Sequence, residues 1–225
     1  LSGGGKTGLR AGGGIFFDLI SSRDVLVAGN RMPPFFRRAA PANPPFPNLL
    51  AAPPGTVTIT PDTLEYYMKQ PYTAQFQLRL QQQVGLNTVV EVGYLGTRGV
   101  HLLSHLVNIN TARPEVLADG RLYFAPTAPR MNPAFGQIAT RRPHFDSNYH
   151  AFIVSLQRRF RQGLQFQLKY VWAKSIDNNS TSITQSDFLA NDGVPTVFNY
   201  RANRGLSDFD LRHDFAANFS WQIPG

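Results

Sequence analysis

Two stretches of this chain alternate apolar and polar residues almost without error. One is Ala74-Gln75-Phe76-Gln77-Leu78-Arg79-Leu80-Gln81, and the other is Leu164-Gln165-Phe166-Gln167-Leu168-Lys169-Tyr170-Val171-Trp172. A period of two specifies a strand with one apolar and one polar face. A strand of about ten residues, rising about 3.3 Å per residue and tilted about 40°, spans roughly 25 Å. That is the height of the apolar band on a transmembrane β-barrel, with lipid outside and water inside.

The same alternation defines six strands in all. Four more cover Thr7 to Phe17, Thr88 to Thr97, Tyr149 to Phe160 and Arg212 to Ile223, while the two stretches above extend to Thr73–Gln83 and Gly163–Lys174. Leu9, Ala11, Ile15 and Phe17 share one face of the first strand, and Val90, Val92 and Tyr94 oppose Glu91 on the third. The predicted inner face holds Gln75, Gln77, Arg79, Gln157, Arg159, Gln165, Gln167, Lys169, Asn218 and Gln222. Tight turns at Val84–Asn87 and Arg161–Gly163 alternate with long links over residues 18–72, 98–148 and 175–211. Compact soluble domains rarely carry three loops of that size. Strict alternation of short and long links puts all long loops on one side, as in outer-membrane barrels with short periplasmic turns and long extracellular loops. The expected fold is therefore all-β: an antiparallel up-and-down meander, a fragment of a large transmembrane β-barrel with long extracellular loops.

Composition narrows the function classes. Of 225 residues none is Cys, which excludes disulfides, thiolate chemistry and Cys-based zinc sites. No run of about 18 apolar residues exists to make a transmembrane helix. The net charge is +8, but Arg37-Arg38, Arg141-Arg142, Arg158-Arg159, Arg161, Arg201 and Arg204 are scattered, so no nucleic-acid partner is expected. Such residues suit loops near lipopolysaccharide phosphates or a wet lumen. The Pro-rich stretch 33–54 reads as a stiff surface loop, with a proline-motif ligand as the alternative, and Ser175–Ser182 reads as polar turn. Tyr72, Tyr94, Tyr170 and Trp172 fall where an outer aromatic girdle would lie, Phe160 and Trp221 where the inner one would; Tyr149 has the inward parity.

Three motifs resemble chemistry without completing it. Gly3-Gly4-Gly5-Lys6-Thr7 matches the end of a phosphate-binding loop, but the following sequence is strand-like rather than helical. Asp208, Asp210, His213 and Asp214 lie close together, yet they lack a calcium-loop pattern. Their expected role is polar anchoring of the sixth strand, with a rim cation site as the alternative. His101, His105, His144 and His150 flank the second long loop, without the Glu of a zinc-protease helix. No nucleophile elbow occurs. No catalytic, cofactor-binding or metal residue is assigned, no enzyme activity and no cofactor are expected, and the ligand-binding residues are unknown.

Several blocks resemble the barrel of Oar-like TonB-dependent transporters of Gram-negative bacteria. They are Lys6 to Asp18, Gln70 to Phe76, Thr88 to Gly99, Ser147 to Phe166, Tyr170 to Asp177 and Arg204 to His213. The resemblance implies a large outer-membrane barrel around a plug, taking up an unidentified extracellular ligand with energy relayed by TonB from the inner membrane. It implies outer-membrane lipid, the plug domain and the TonB complex as partners. On this reading residues 1–225 are a partial barrel domain, with the plug, N-terminal region and remaining strands elsewhere. A passive porin-like barrel or surface adhesin is the alternative function, and a soluble glycan-binding β-sandwich is a third.

Overall fold

The computed structural model describes residues 5–34, 39–41, 47, 57–104, 107–161, 163–180 and 196–223. All six long strands form: β1 (Thr7–Phe17), β2 (Tyr72–Val84), β3 (Thr88–Leu102), β4 (Phe145–Arg161), β5 (Leu164–Asp177) and β6 (His213–Trp221). They pair antiparallel in chain order, and the two-residue strand Gly205–Leu206 adds to the loop end of β5. This is an all-β up-and-down meander, the wall of an outer-membrane-type barrel.

The register explains the alternation. Leu80 pairs with Leu9 and with Val92, and Leu78 with Ala11 and Tyr94. Across the other half, Leu156 pairs with Val90 and Leu168, and Leu168 with Ala217. One face thus collects apolar rungs across the whole wall. No second sheet covers it among the described residues: Ile15 is 60% exposed, Phe219 74% and Trp221 60%. Facing apolar sheets of a soluble sandwich would bury such residues, whereas a lipid-facing wall leaves them free of protein contact.

Short turns close one end. Gly85 and Gly163 take φ of +66° and +77°, left-handed values that favour glycine. At Gly163 an added Cβ would also meet the Gln222 carbonyl oxygen at 2.9 Å, because the Gln222 N–H donates to the Gly163 carbonyl at 2.7 Å. Gln162, expected in this turn, lies outside the described residues.

At the other end the structure departs from the sequence expectation in two ways. β3 runs on to Leu102, β4 starts at Phe145 and β5 runs on to Asp177, so residues 98–102 and 145–148, and Ser175 to Asp177 of the expected polar turn, are wall rather than loop. Gly99 pairs with Thr73 and with Ser147, close enough that a Cβ would lie 2.5 Å from the Ser147 hydroxyl oxygen. The alternation is broken there, so side-chain periodicity hid a backbone ladder that continues.

The long links are also partly folded. The first contributes α1 (Ser22–Asn30) and a short strand, Asp62–Leu64, which pairs parallel with Ala139–Arg141 of the second link. Ala139 and Thr140 pair in turn with Val107–Asn108. The Ala39–Pro41/Val57–Ile59 and Glu115–Val116/Leu122–Tyr123 pairs form two further, separate ladders in the first and second links. Of the Pro-rich stretch, residues 35–38, 42–46 and 48–54 lie outside the described residues, as do residues 181–182 of the polar turn.

Candidate ligand mouth and lumenal face

The polar face of the wall forms by parity. Gln75, Gln77 and Arg79 follow one another on β2, opposite Gly14, Gly12 and Arg10 of β1. Gln157 pairs with Gln167, Ser155 with Lys169, and Gln167 with Asn218. Arg79 and Glu91 approach within 3.6 Å, the lumenal ion pair of β2 and β3. Gln side chains carry both donors and acceptors without net charge, so this face supports water or a polar guest. Arg159 and Gln222 lie at the turn end, where a register shift between Arg158 and Arg161 breaks the ladder.

Above the wall, three links meet in one cluster around Arg142. Glu65, on the first link, accepts from Arg142 Nε at 3.1 Å and lies 2.7 Å from His144 Nε2, both on the second. Arg142 also donates to the Tyr200 hydroxyl on the third link at 2.8 Å. Tyr200 stacks on His144 with centroids 5.5 Å apart and meets the buried Phe145 edge-on at 5.1 Å. Burial acts to raise the Glu65 carboxyl, but hydrogen bonds and charge from Arg142 and His144 outweigh it and hold the group below the usual carboxylate range. Burial opposes the Arg142 charge, yet Glu65 and Tyr200 more than offset it and push the guanidinium up. Burial pushes the Tyr200 hydroxyl up against the pull of Arg142. A carboxylate so fully engaged is a strut that ties the first loop to the second, rather than a base open to a substrate, and Arg142 carries the tie on to the third.

Two further polar hubs stiffen the mouth. Asn110 is 2% exposed; its amide donates to the carbonyls of Asn132, Phe135 and Gly136 at 2.8, 3.0 and 2.8 Å. Its Oδ1 accepts the Asn132 N–H at 2.8 Å. At the top of β5, Asp210 accepts the Ser175 N–H at 2.6 Å, and the Ser175 and Ser207 hydroxyls lie 2.8 Å apart. Ser180 donates to both oxygens of Asp177, at 2.9 and 2.8 Å, and accepts the Asp208 N–H at 3.0 Å.

The motif residues scatter into these arrangements. Of the acidic group, Asp210 anchors the chain entering β6, Asp208 contributes its N–H to Ser180, Asp214 has lumenal parity opposite Val171, and His213 has the lipid-facing parity. Of the histidines, His101 is in β3 near the Tyr72 ring, His144 joins Glu65, and His150 lies on the lipid-facing side. His105 lies outside the described residues. Among the described residues no three His, Asp or Glu side chains are placed to share a metal ion. Lys6 and Thr7 lead directly into β1, so no helix follows the glycine run, whose Gly3 and Gly4 lie outside the described residues.

Sequence reading missed Glu65, Arg142, Tyr200 and Asn110. The partners of Glu65 are 77 and 79 positions away, beyond any local spacing rule. Only Asn108-Ile109-Asn110 carried a signal, since closely spaced Asn residues favour side-chain-to-backbone turns.

The sequence matches the family described as "Outer membrane beta barrel domain" over residues 1–225. Among solved structures it is similar to the outer membrane transporter YddB from Escherichia coli, at 16% identity and a TM-score of 0.37. The similar region covers 54% of this chain and 14% of that transporter, so the chain spans a small part of its length. No curated protein matches the chain.

Proposed function

We propose, for a chain that belongs to the outer membrane beta barrel domain family, a role as one stretch of the wall and mouth of a TonB-dependent transporter. The chain is an outer-membrane β-barrel domain. Residues 1–225 supply part of the barrel, and the plug and remaining strands come from elsewhere in the complete protein. The transporter takes up an extracellular ligand with energy from the inner membrane and performs no catalysis. Lipid meets the apolar face, while plug, water and ligand meet the Gln-rich face.

The observation that carries this reading is the pairing of a polar, Gln-lined lumenal face with long loops that are themselves locked together at Glu65. A selective mouth needs loops held in one geometry around a wet channel. The resemblance of the blocks from Lys6 to His213 supports the link to TonB.

The test uses the complete protein in detergent and in liposomes. Capture by the periplasmic domain of TonB from the same organism, with liposomes that stay closed to small sugars, is the expected result. Absence of TonB capture together with free sugar diffusion would replace this reading with a passive barrel.

A further inference from the structure

We infer that the loop-side rim of the lipid-facing wall binds the phosphate groups of an outer-leaflet lipid, through Arg98, Lys174, His150 and His213. These four come from four adjacent strands, β3, β5, β4 and β6, and all have the apolar-face parity. His150 pairs with Gly96 and Lys174, Arg98 with Asn148, and His213 with Trp172. Arg98 stands one rung above His150 and Lys174, and His213 one rung below them, so the four run diagonally over about 20 Å from end to end.

Each group is poised outward. All four residues are exposed. Arg98 spends one donor on Asn148 Oδ1 at 3.1 Å, leaving the rest of its guanidinium available. Lys174 has no hydrogen-bond or ion-pair partner among the described residues. The two histidines repeat one device: Tyr94 Oη lies 2.7 Å from His150 Nδ1, and Tyr170 Oη lies 2.7 Å from His213 Nδ1. With the hydroxyl as donor, the neutral ring carries its proton on Nε2. Nε2 is then an N–H donor whether the ring is neutral or charged.

The surroundings choose a lipid over free phosphate. One rung below His150 and Lys174, in register, lie Phe152, Tyr94 and Trp172, the last beside His213, with Tyr170 one rung further. Phe152 is 42% exposed and Trp172 51%. A cationic row over an aromatic band matches a molecule with a phosphorylated head and acyl chains. Negative charge is absent from these rungs: Asp214 has lumenal parity, and Asp146 lies beyond Asn148 at the strand bulge.

The test is native mass spectrometry of the complete protein extracted in mild detergent, with bisphosphorylated lipid A and its phosphate-free form as probes. The wild type should retain the bisphosphorylated form with at least tenfold preference. Arg98→Gln with Lys174→Gln should remove that preference, while Lys169→Gln, on the lumenal face, should keep it. If the double variant fails to assemble, Lys174→Gln alone serves, since it breaks no contact within the described protein, and it should lower the preference several-fold. Equal retention of both lipids by the wild type, or unchanged preference in the variants, would overturn the assignment. So would displacement of the lipid by equimolar inorganic phosphate.

Discussion

In β6 all nine residues are exposed, whereas in the loop layer Asn110 and Asp62 are 2% exposed each and Val107 4%. The wall holds together through backbone ladders and gains its remaining stability from whatever meets its apolar face. The loop layer holds together through side chains buried against each other and through hydrogen bonds between positions far apart in sequence. One half is therefore sensitive to the medium and to side-chain parity. The other is sensitive to the loss of single polar groups. Substitutions at the two places should fail in different ways, and that difference can be measured.

The largest effect is expected on the wall. Leu168 lies midway between the aromatic residues Trp221, which pairs with Leu164, and Trp172, flanked by Leu156 and Ala217 on the apolar face, while its neighbour Gln167 faces Gln157 and Asn218. Leu168→Arg should cost about 2–4 kcal/mol at the bilayer midplane, with Gln167→Arg nearly neutral. Heat-modifiable migration and vesicle refolding of the complete protein read this directly. Equal losses for the two variants would erase the distinction between the faces.

Next comes the loop layer, through Asn110→Ala. The change strips the Asn132 N–H of its acceptor and three carbonyls of a shared donor, in a site that is 2% exposed. The expected cost is about 1–3 kcal/mol. It should show as faster protease cleavage within residues 107–141, with barrel migration unchanged. A wall that fails together with the loop would mean that the two halves fold as one unit.

These two halves were not equally legible in the sequence. In the wall, a side chain's face follows from its position along the strand, so Gln75, Leu78, Leu156 and Leu168 could be assigned by counting. Counting stopped at Gly99 and at Phe145, where glycine and a register shift interrupt the pattern although the ladder continues. In the loop layer there is no period to count. Glu65 finds Arg142 across 77 positions, and Tyr200 finds it across 58, through a topology that only the folded chain supplies. The Asp208–Asp214 group shows the middle case: anchoring at Asp210 could be expected from a polar cluster beside a strand, but the outward turn of His213 onto Tyr170 depended on register.

A smaller effect tests the wall's packing without changing its polarity. The Phe76 ring lies over Gly96, so that a Cβ there would sit 2.1 Å from a ring carbon. At Gly12, by contrast, the nearest atom to a Cβ is the Gln77 amide nitrogen at 3.7 Å. Gly96→Ala should cost about 1 kcal/mol, the low end for overpacking, because Phe76 is 44% exposed and has room to swing outward. Gly12→Ala should cost less than half as much. Urea unfolding from vesicles resolves the pair, and a reversed order would remove the Phe76–Gly96 contact from the account.

The smallest effect lies at Glu65, and pH gives its sign. Its side chain is 24% exposed, so Glu65→Gln should weaken the clamp by only about 1 kcal/mol or less. The folded carboxyl titrates below its unfolded value of 4.5, so the ionised form is the one the fold prefers. The clamp's contribution is therefore complete above pH 4.5 and disappears as pH falls through the lowered folded value. The reporter is the Ser104 amide, which donates to the Arg142 carbonyl at 3.0 Å beside the cluster. At neutral pH its hydrogen exchange should run about fivefold or less faster in Glu65→Gln than in the wild type. Well below pH 4.5 the two should exchange alike, because the wild-type carboxyl has by then taken up the proton that its charge-assisted bonds excluded. A difference that persists unchanged into acid would mean that Glu65 holds the loops by shape rather than by charge, and the loop layer would then depend on packing alone.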